Sequence, residues 1–596
     1  MPLDKHIVYS EDLVLTFLRG LTRSNPTLGL VESERIVYSC AENDDNVVVL
    51  SGGGSGHEPA HAGYVGRGML DVAVVGSIFA SPSAKQILEG IRCRPSRAGT
   101  LIIVKNYTGD VLHFGLASER ARANGISVEV VIVGDDVAVG RTKGGLVGRR
   151  GLAGSVLVHK VAGAEAALGS SLPEVCASAR AVAENIVTIG ASLDHCAVPG
   201  RETNAEMSLA CDEIEIGLGI HNEAGVSKIS PIPSADELVG SLLHYLLSKD
   251  DKERSYVIFD ESDDVVLLIN NLGGMSVLEI TAISQIVQSQ LLHKYGISPV
   301  RVYVGSFMTS LNAPGFSITL LNATKAGGKR ALDLLDAATD ASGWNAHYMT
   351  STCASKPMVL VSASERKRRA SSKLKTSKVL LLTILRKGMQ AVLRSEPLIT
   401  RYDMIAGDGD CGETLACGAN AILAALKSDV THNIELEDVV SALDDITEII
   451  ESSMGGTSGG IYSIFVTALG QALKRLSDDS PDSSVELKKS MLGKACELAL
   501  ATLYKYTNAR VGDRTLIDAL DPFVRAFAAG ESVRDATLKA SAGADSTKNL
   551  VAKFGRASYV GQDGLARFEA DGGIPDPGAV GLAALLDGFA NGYYGV

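Results

Sequence analysis

The sequence predicts a two-lobed α/β region followed by an all-helical region, and three observations carry that prediction. Short β-branched runs alternate with helical stretches over about the first 360 residues. A small, basic run, Ser362-Ala-Ser-Glu-Arg-Lys-Arg-Arg-Ala-Ser-Ser-Lys-Leu-Lys-Thr-Ser, then interrupts the pattern without an apolar face. Beyond it strand-like runs nearly vanish and amphipathic segments follow in series.

In the first lobe, about 1–190, the strands are Asn46-Val-Val-Val-Leu, Asp71-Val-Ala-Val-Val, Thr100-Leu-Ile-Ile-Val and Ser127-Val-Glu-Val-Val-Ile-Val. Continuous apolar runs that end in glycine-rich or polar turns suit strands buried on both faces, and ligands gather at such strand ends. After a less regular stretch near 190–235, Val265-Val-Leu-Leu-Ile, Pro299-Val-Arg-Val-Tyr-Val and Ser317-Ile-Thr-Leu-Leu form the second lobe, about 191–360. The basic run is a linker over 361–378. Its Arg366-Lys-Arg-Arg pattern fits a solvated connector better than a nuclear-localisation signal. Segments 378–395, 413–427, 436–451, 460–476, 485–506, 515–528 and 579–591 make the region 379–596 all-α.

Composition narrows the function classes. The 596 residues are 46% hydrophobic and 21% charged, ordinary for a globular chain with large cores. The first residues lack a basic stretch followed by an apolar run, and no segment has the length of a membrane span, so a soluble, cytoplasmic protein with no membrane partner is expected. The nine cysteines are scattered without a Cys-x-x-Cys pair, which fits reduced thiols. A net charge of −13 argues against nucleic acid as a partner.

The densest chemistry lies in Asp403-Met-Ile-Ala-Gly-Asp-Gly-Asp-Cys-Gly-Glu-Thr, where Asp403, Asp408 and Asp410 crowd one short turn before a helix. Three close carboxylates repel unless a cation neutralises them, and an all-oxygen set suits a hard ion such as magnesium, which usually serves phosphates. An EF-hand is excluded because Gly412, Glu413 and Ala419 stand where that loop needs a ligand, a glycine and a bidentate acid. Downstream, Met454-Gly-Gly-Thr-Ser-Gly-Gly opens another helix and offers backbone donors to anionic oxygens. Ala509-Arg-Val-Gly-Asp-Arg-Thr-Leu and Asp571-Gly-Gly-Ile-Pro-Asp-Pro-Gly-Ala add two polar loops before helices. A barrel with converging loops would bring all four together.

The first lobe carries its own glycine loop, Ser51-Gly-Gly-Gly-Ser-Gly-His-Glu-Pro-Ala-His. His57 and His61 match His-Glu-x-x-His, but the glycines before His57 and the placement of Pro59 deny the continuous helix a zinc protease needs. His57 is expected at or before a helix start, exposed to the loop. No Gly-Lys-Ser/Thr follows, so a Walker-type loop is absent. Lys105-Asn-Tyr-Thr-Gly-Asp at a strand end and Gly217-Leu-Gly-Ile-His-Asn-Glu-Ala-Gly complete a candidate pocket.

Segments 52–80, 105–110, 217–225, 407–412, 455–459 and 576–579 resemble, in the same order, the signature loops of ATP-dependent dihydroxyacetone kinases. The resemblance spans nearly the whole chain. It implies a two-lobed α/β domain for the triose and a helical barrel for Mg-ATP, with ATP as donor because both parts lie on one chain. By motif, His221 resembles the histidine that holds the substrate carbonyl as a hemiaminal, with His57 assisting proton transfer and Asp110 receiving the proton of the attacking hydroxyl. Gly54, Ser55, Gly56, His57, Lys105 and Asp110 would line the triose. Asp403, Asp408 and Asp410 would hold magnesium. Asp410, Cys411, Gly412, Thr457, Ser458, Thr507, Thr515, Leu516, Arg556, Asp576, Pro577 and Gly578 would surround the nucleotide. Glu413 and Thr507 stand where the resemblance implies smaller residues, and Ala197 replaces a histidine.

The resemblance further implies glyceraldehyde as a second substrate and a homodimer joined through the α/β domain. Two other readings compete: a lyase that cyclises FAD to riboflavin cyclic phosphate in the helical domain with Mn2+, and a non-catalytic triose sensor. The intact aspartate turn counts against the sensor.

Overall fold

Every second residue of the first sheet faces a different core, and that alternation builds the layers of the N-terminal region. The computed structural model describes residues 6–7, 12–41, 45–144, 148–200, 208–344, 372–427, 434–482, 484–554 and 573–595. They fall into two compact units, Met1–Val359 and Leu360–Val596.

In the first unit, β1 (Leu28–Val31), β2 (Ile36–Ser39), β3 (Val48–Ser55), β4 (Val72–Ile78), β5 (Thr100–Lys105) and β6 (Val128–Val133) form one sheet in the order β1-β2-β4-β3-β5-β6. The four strands β4-β3-β5-β6 run parallel, so their C-terminal ends open on one side. Val48, Leu50, Ile102 and Val104 pack on helices Ala84–Cys93 and Thr108–Ala123. Val49, Leu101, Ile103 and Val131 face helices Ser155–Ala167 and Leu172–Glu184.

A second six-stranded sheet packs against the far side of those helices through Val266, Leu268 and Leu321. It comprises β7 (Ile186–Ser192), β8 (Ile214–Ile216), β9 (Ser227–Ile229), β10 (Val265–Asn271), β11 (Arg301–Gly305) and β12 (Gly315–Asn322), in the order β11-β10-β12-β7-β8-β9. Its outer face, with Val265, Leu267, Ile318 and Leu320, is covered by helices Ala235–Leu247 and Val277–Tyr295. The two lobes expected from the sequence are these two sheets. The stretch that reads as irregular holds the end of β7 and the three-residue strands β8 and β9, which are too short to show an alternation.

The second unit is the expected helical barrel. Helices Lys378–Ala406, Cys411–Ala425, Val439–Ser453, Gly456–Asp478, Lys489–Leu503, Ile517–Ala528, Val533–Ser546 and Pro577–Tyr594 each pack on the next, and the last returns to the first. An up-and-down ring of this kind puts every second loop at the same end, here those before Cys411, Gly456, Ile517 and Pro577. Inside is an apolar cavity of about 520 Å³, walled by side chains such as Leu385, Ile422, Phe465, Phe523 and Leu582.

Some local expectations change. The tail of the expected linker belongs to the helical unit: Ser372 hydrogen-bonds to Asp438, and β13 (Leu374–Lys375) pairs with β14 (Val485–Glu486). Residues 361–371 lie outside the described set. No described helix is long and apolar enough to cross a membrane.

Candidate active site

Strand β3 runs into its glycines without a helix behind them. The chain turns at His57 and makes only the short 3-10 segment Ala62–Tyr64, so the helix expected after Pro59 is absent. His57 is fully buried rather than exposed, because the second sheet's loop covers it: Nδ1 lies 2.8 Å from Thr309 O. Gly56, at φ +101°, makes this turn affordable, since a β-carbon there would sit 2.5 Å from the Phe79 ring. Phe79 stacks on His57 with ring centres 5.2 Å apart.

His221, in the loop after β8, meets His57 directly, Nε2 to Nε2 at 3.0 Å. Glu223 grips the other side of its ring, with Oε1 2.8 Å from Nδ1, while Oε2 accepts the His221 backbone N–H at 2.9 Å. Tyr107 closes the pocket edge-on, 4.7 Å from the His221 ring. Burial alone would raise the Glu223 carboxyl, but the hydrogen bond and charge of His221 win and hold it at about 2. Burial, reinforced by Lys105 and His221, pushes the His57 imidazole well below its ordinary value.

The proton inventory follows from these partners. A carbonyl oxygen only accepts, so His57 Nδ1 carries hydrogen, and the carboxylate requires the same of His221 Nδ1. Two bare lone pairs facing each other at 3.0 Å would repel, so one further proton lies between the two Nε2 atoms.

Lys105 ends β5, and Asp110 lies in the first turn of helix Thr108–Ala123, accepting the Ser81 hydroxyl. Both are buried. A β-carbon built on Gly53 would lie 3.5 Å from Asp110 Oδ2 and 3.6 Å from Lys105 Cε, so the two meet at the glycine loop. Burial lowers the Lys105 ammonium, opposed chiefly by Asp110 and Glu223. Gly54 and Ser55 close the strand, with Ser55 Oγ donating to Gly76 O at 2.9 Å. Glu58 accepts the Gly56 N–H.

In the helical unit, oxygens of Asp403, Asp408 and Asp410 lie within 4.8 Å of one another. Asp403 is buried, and its Oδ2 accepts the Cys411 N–H at 2.9 Å. An oxygen-only set of this size at a helix start fits a divalent hard cation. Gly412 follows where a β-carbon would be 2.1 Å from Thr400 Oγ1, so only glycine lets the two helices close behind the carboxylates. Burial raises the Cys411 thiol to about 12, reinforced by Asp403 and Asp576 and opposed by a hydrogen bond to Ser458. Thr457 and Ser458 occupy the first turn of Gly456–Asp478. Asp576 caps the last helix through Ala579 N–H, with Pro577 and Gly578 in its first turn. Leu516 Cβ lies 3.6 Å from a β-carbon position on Gly578, joining the 515–516 and 576–578 segments. The Thr515 N–H is held by Asp518, and Thr507 Oγ1 accepts Ala509 N–H. Arg556 lies outside the described residues.

Sequence reasoning did not single out Glu223, Tyr107, Phe79 or Thr309. The first sits two residues from His221, a spacing that could have marked it. Thr309 is 252 residues from His57 and carries no local signal.

A sheet unit with a buried histidine pair and a helical unit with clustered carboxylates at helix starts are the two parts of a phosphotransferase. The chain belongs to the dihydroxyacetone kinase family: the Dak1 domain family matches residues 19–343 and the DAK2 domain family residues 405–591. It is 54% identical to a dihydroxyacetone kinase of Pichia angusta over 99% of this chain and 98% of that one. Dihydroxyacetone kinase 2 of Saccharomyces cerevisiae is 50% identical over 98% of both chains. The triokinase/FMN cyclase of Mus musculus is 39% identical over 96% of this chain and 95% of that one. The crystal structure of the dihydroxyacetone kinase of C. freundii, in complex with AMP-PNP and Mg2+, aligns with a TM-score of 0.61 at 31% identity, over 98% of this chain and 99% of that one.

Proposed function

We propose that the chain phosphorylates dihydroxyacetone from ATP with magnesium, and that His221 first captures the ketone as a hemiaminal. The observation that carries this reading is the 3.0 Å contact between His57 and His221 with both outer ring nitrogens already engaged. When the shared proton moves to His57, the His221 Nε2 lone pair can attack the carbonyl carbon. The carbon–nitrogen bond forms, the carbonyl π bond breaks, and its oxygen takes the proton from His57 Nε2. His57 ends neutral and the substituted His221 ring ends cationic beside Glu223, so net charge is unchanged. Selection by the ketone makes physical sense, because glycerol offers almost the same surface but no carbonyl.

A hydroxyl of the held triose is then the nucleophile toward the γ-phosphoryl group, and Asp110 accepts its proton, with Lys105 beside it. The nucleotide half is read as Asp410 to Gly412, Thr457, Ser458, Thr507, Thr515, Leu516, Arg556 and Asp576 to Gly578. Backbone N–H groups at those helix starts donate to phosphate oxygens. Asp403, Asp408 and Asp410 would hold magnesium, which would supply neutralisation of triphosphate charge. Glyceraldehyde, which also has a carbonyl, is a second acceptor. The chain is read as a cytoplasmic homodimer joined through the α/β domain, which mass measurement of that domain in solution tests.

His221→Ala is the deciding variant. Phosphorylation of dihydroxyacetone with Mg-ATP should disappear, and carbonyl-labelled dihydroxyacetone should lose its tetrahedral, protein-bound carbon resonance. Unchanged turnover in this variant would sink covalent capture. The mouse relative, a triokinase/FMN cyclase, favours a second reading, a cyclase activity, here read as cyclisation of FAD with manganese in the helical unit. That activity would survive His221→Ala, which separates the two.

A further inference from the structure

His61 carries a buried nitrogen that no group among the described residues engages. The residue is 3% exposed, and its Nε2 has no hydrogen-bond partner. The other ring nitrogen is fully occupied: Nδ1 lies 3.0 Å from His159 Nε2 and 3.3 Å from Ser51 Oγ. Ser51 commits its only hydrogen to Ile103 O at 2.8 Å. Its oxygen can therefore only accept, so the hydrogen of the His61 ring sits on Nδ1, where Ser51 Oγ and His159 Nε2 share it. Burial, reinforced by His159 and Lys105, pushes the His61 imidazole well below its ordinary value, and burial takes His159 down to about 3. Both rings are neutral. Nε2 of His61 is a bare acceptor.

That acceptor opens on the reacting end of the proposed triose site. A β-carbon built on Gly53 would lie 3.6 Å from His61 Nε2, 3.5 Å from Asp110 Oδ2 and 3.6 Å from Lys105 Cε, so the absent side chain leaves three groups around one point. Gly54 and His61 also line one recess. Asp110 Oδ1 already accepts the Ser81 hydroxyl, which leaves Oδ2 for the hydroxyl that attacks phosphorus. Two acceptors cannot share the single hydrogen of one hydroxyl. Dihydroxyacetone brings two hydroxyls on equivalent carbons, one to react and one to spare. A buried acceptor left unpaired carries a desolvation penalty, and a ligand hydroxyl relieves it.

Resting on the reading that Asp110 deprotonates one hydroxyl of the held triose, we propose that His61 is a specificity-determining residue: its Nε2 accepts a hydrogen bond from the other, unreacting hydroxyl. Ser51 and His159 act through it by fixing the ring and its tautomer. No covalent bond is made or broken at His61. It holds the far arm of the substrate while the near arm reacts, and so distinguishes a ketone with two hydroxymethyl arms from one with a single arm.

The test compares kcat/KM for dihydroxyacetone and for hydroxyacetone, with saturating Mg-ATP, in the full chain and in its His61→Asn and His61→Gln variants. Hydroxyacetone must present its single hydroxyl to Asp110 to be phosphorylated, so its reacting pose offers nothing to His61. The Asn amide stands where Nδ1 does and removes the Nε2 acceptor. The Gln amide reaches the Nε2 position and gives up the contact with Ser51. In His61→Asn the preference for dihydroxyacetone should fall about tenfold, the scale of one hydrogen bond, with KM for ATP unmoved. His61→Gln should keep most of that preference. The reverse order, or equal losses on both ketones, marks a ring that merely packs and overturns the proposal. Should His61→Asn fail to fold, or hydroxyacetone not be turned over, nitrogen-15 spectra of the unmodified chain decide. The His61 Nε2 resonance should move from the bare toward the hydrogen-bonded range when dihydroxyacetone is added, and an unmoved resonance overturns the proposal. Asp110→Asn isolates the reading beneath: turnover at the unmodified rate there removes Asp110 as the proton acceptor, whatever the His61 variants do.

Discussion

Glu223 joins the stability of the sheet unit to the proposed reactivity of His221 through one side chain. Its folded value of about 2 lies below the ordinary 4.5, so it favours the folded state fully above pH 4.5 and loses that contribution as pH falls toward 2. Glu223→Gln keeps an acceptor for Nδ1–H but removes the charge. Denaturant unfolding followed across this range should lose part of its acid dependence in the variant, and a slope identical to the unmodified protein would refute the assignment. Turnover of dihydroxyacetone should fall about 10–100-fold, the usual scale for losing a group that orients a reactive histidine. At this scale legibility was uneven. His57, Lys105, Asp110 and the three aspartates stand in glycine-marked segments, whereas Thr309 and Phe79 reach His57 only through folding over long separations, which local pattern cannot encode.

At the scale of elements, the proposed nucleotide site is a set of helix starts held by their caps. Asp576 is the side-chain cap of Pro577–Tyr594, and burial raises its carboxyl to about 6 against the opposing Ala579 N–H and Arg514. Asp576→Ala should therefore destabilise the helical unit by about 1 kcal/mol, within the 0.5–2 kcal/mol range for lost caps. Asp576→Asn, which caps as well and carries no charge to bury, should match the unmodified melting temperature. Equal stability of all three proteins would show that the cap contributes nothing. The helices legible in sequence were those with one apolar face. Ser155–Ala167 is buried along nearly its whole length between two sheets, so it has no polar stripe to reveal it. Val533–Ser546, rich in small residues, hid for a different reason: alanines and serines give a weak contrast between faces.

For the whole molecule, the two units each have their own cores. Independent cores predict two calorimetric transitions rather than one. Dihydroxyacetone should raise only the transition of the sheet unit, and AMP-PNP with magnesium only that of the helical unit, by about 2.7 kcal/mol at a hundredfold excess over Kd. A single transition that responds equally to both ligands would contradict this partition. The division was readable from the change of period at the basic run, because the hydrophobic pattern reports which neighbours an element must bury against.

The cavity inside the helical barrel has a consequence of its own. Space that no atom fills is surrendered when a fold opens, so unfolding shrinks the system and compression favours it. In the sheet unit, the pocket lined by Gly53, Glu58 and His61 leaves no such space. Raised hydrostatic pressure at fixed temperature should therefore melt the nucleotide half first, leaving the histidine pair folded.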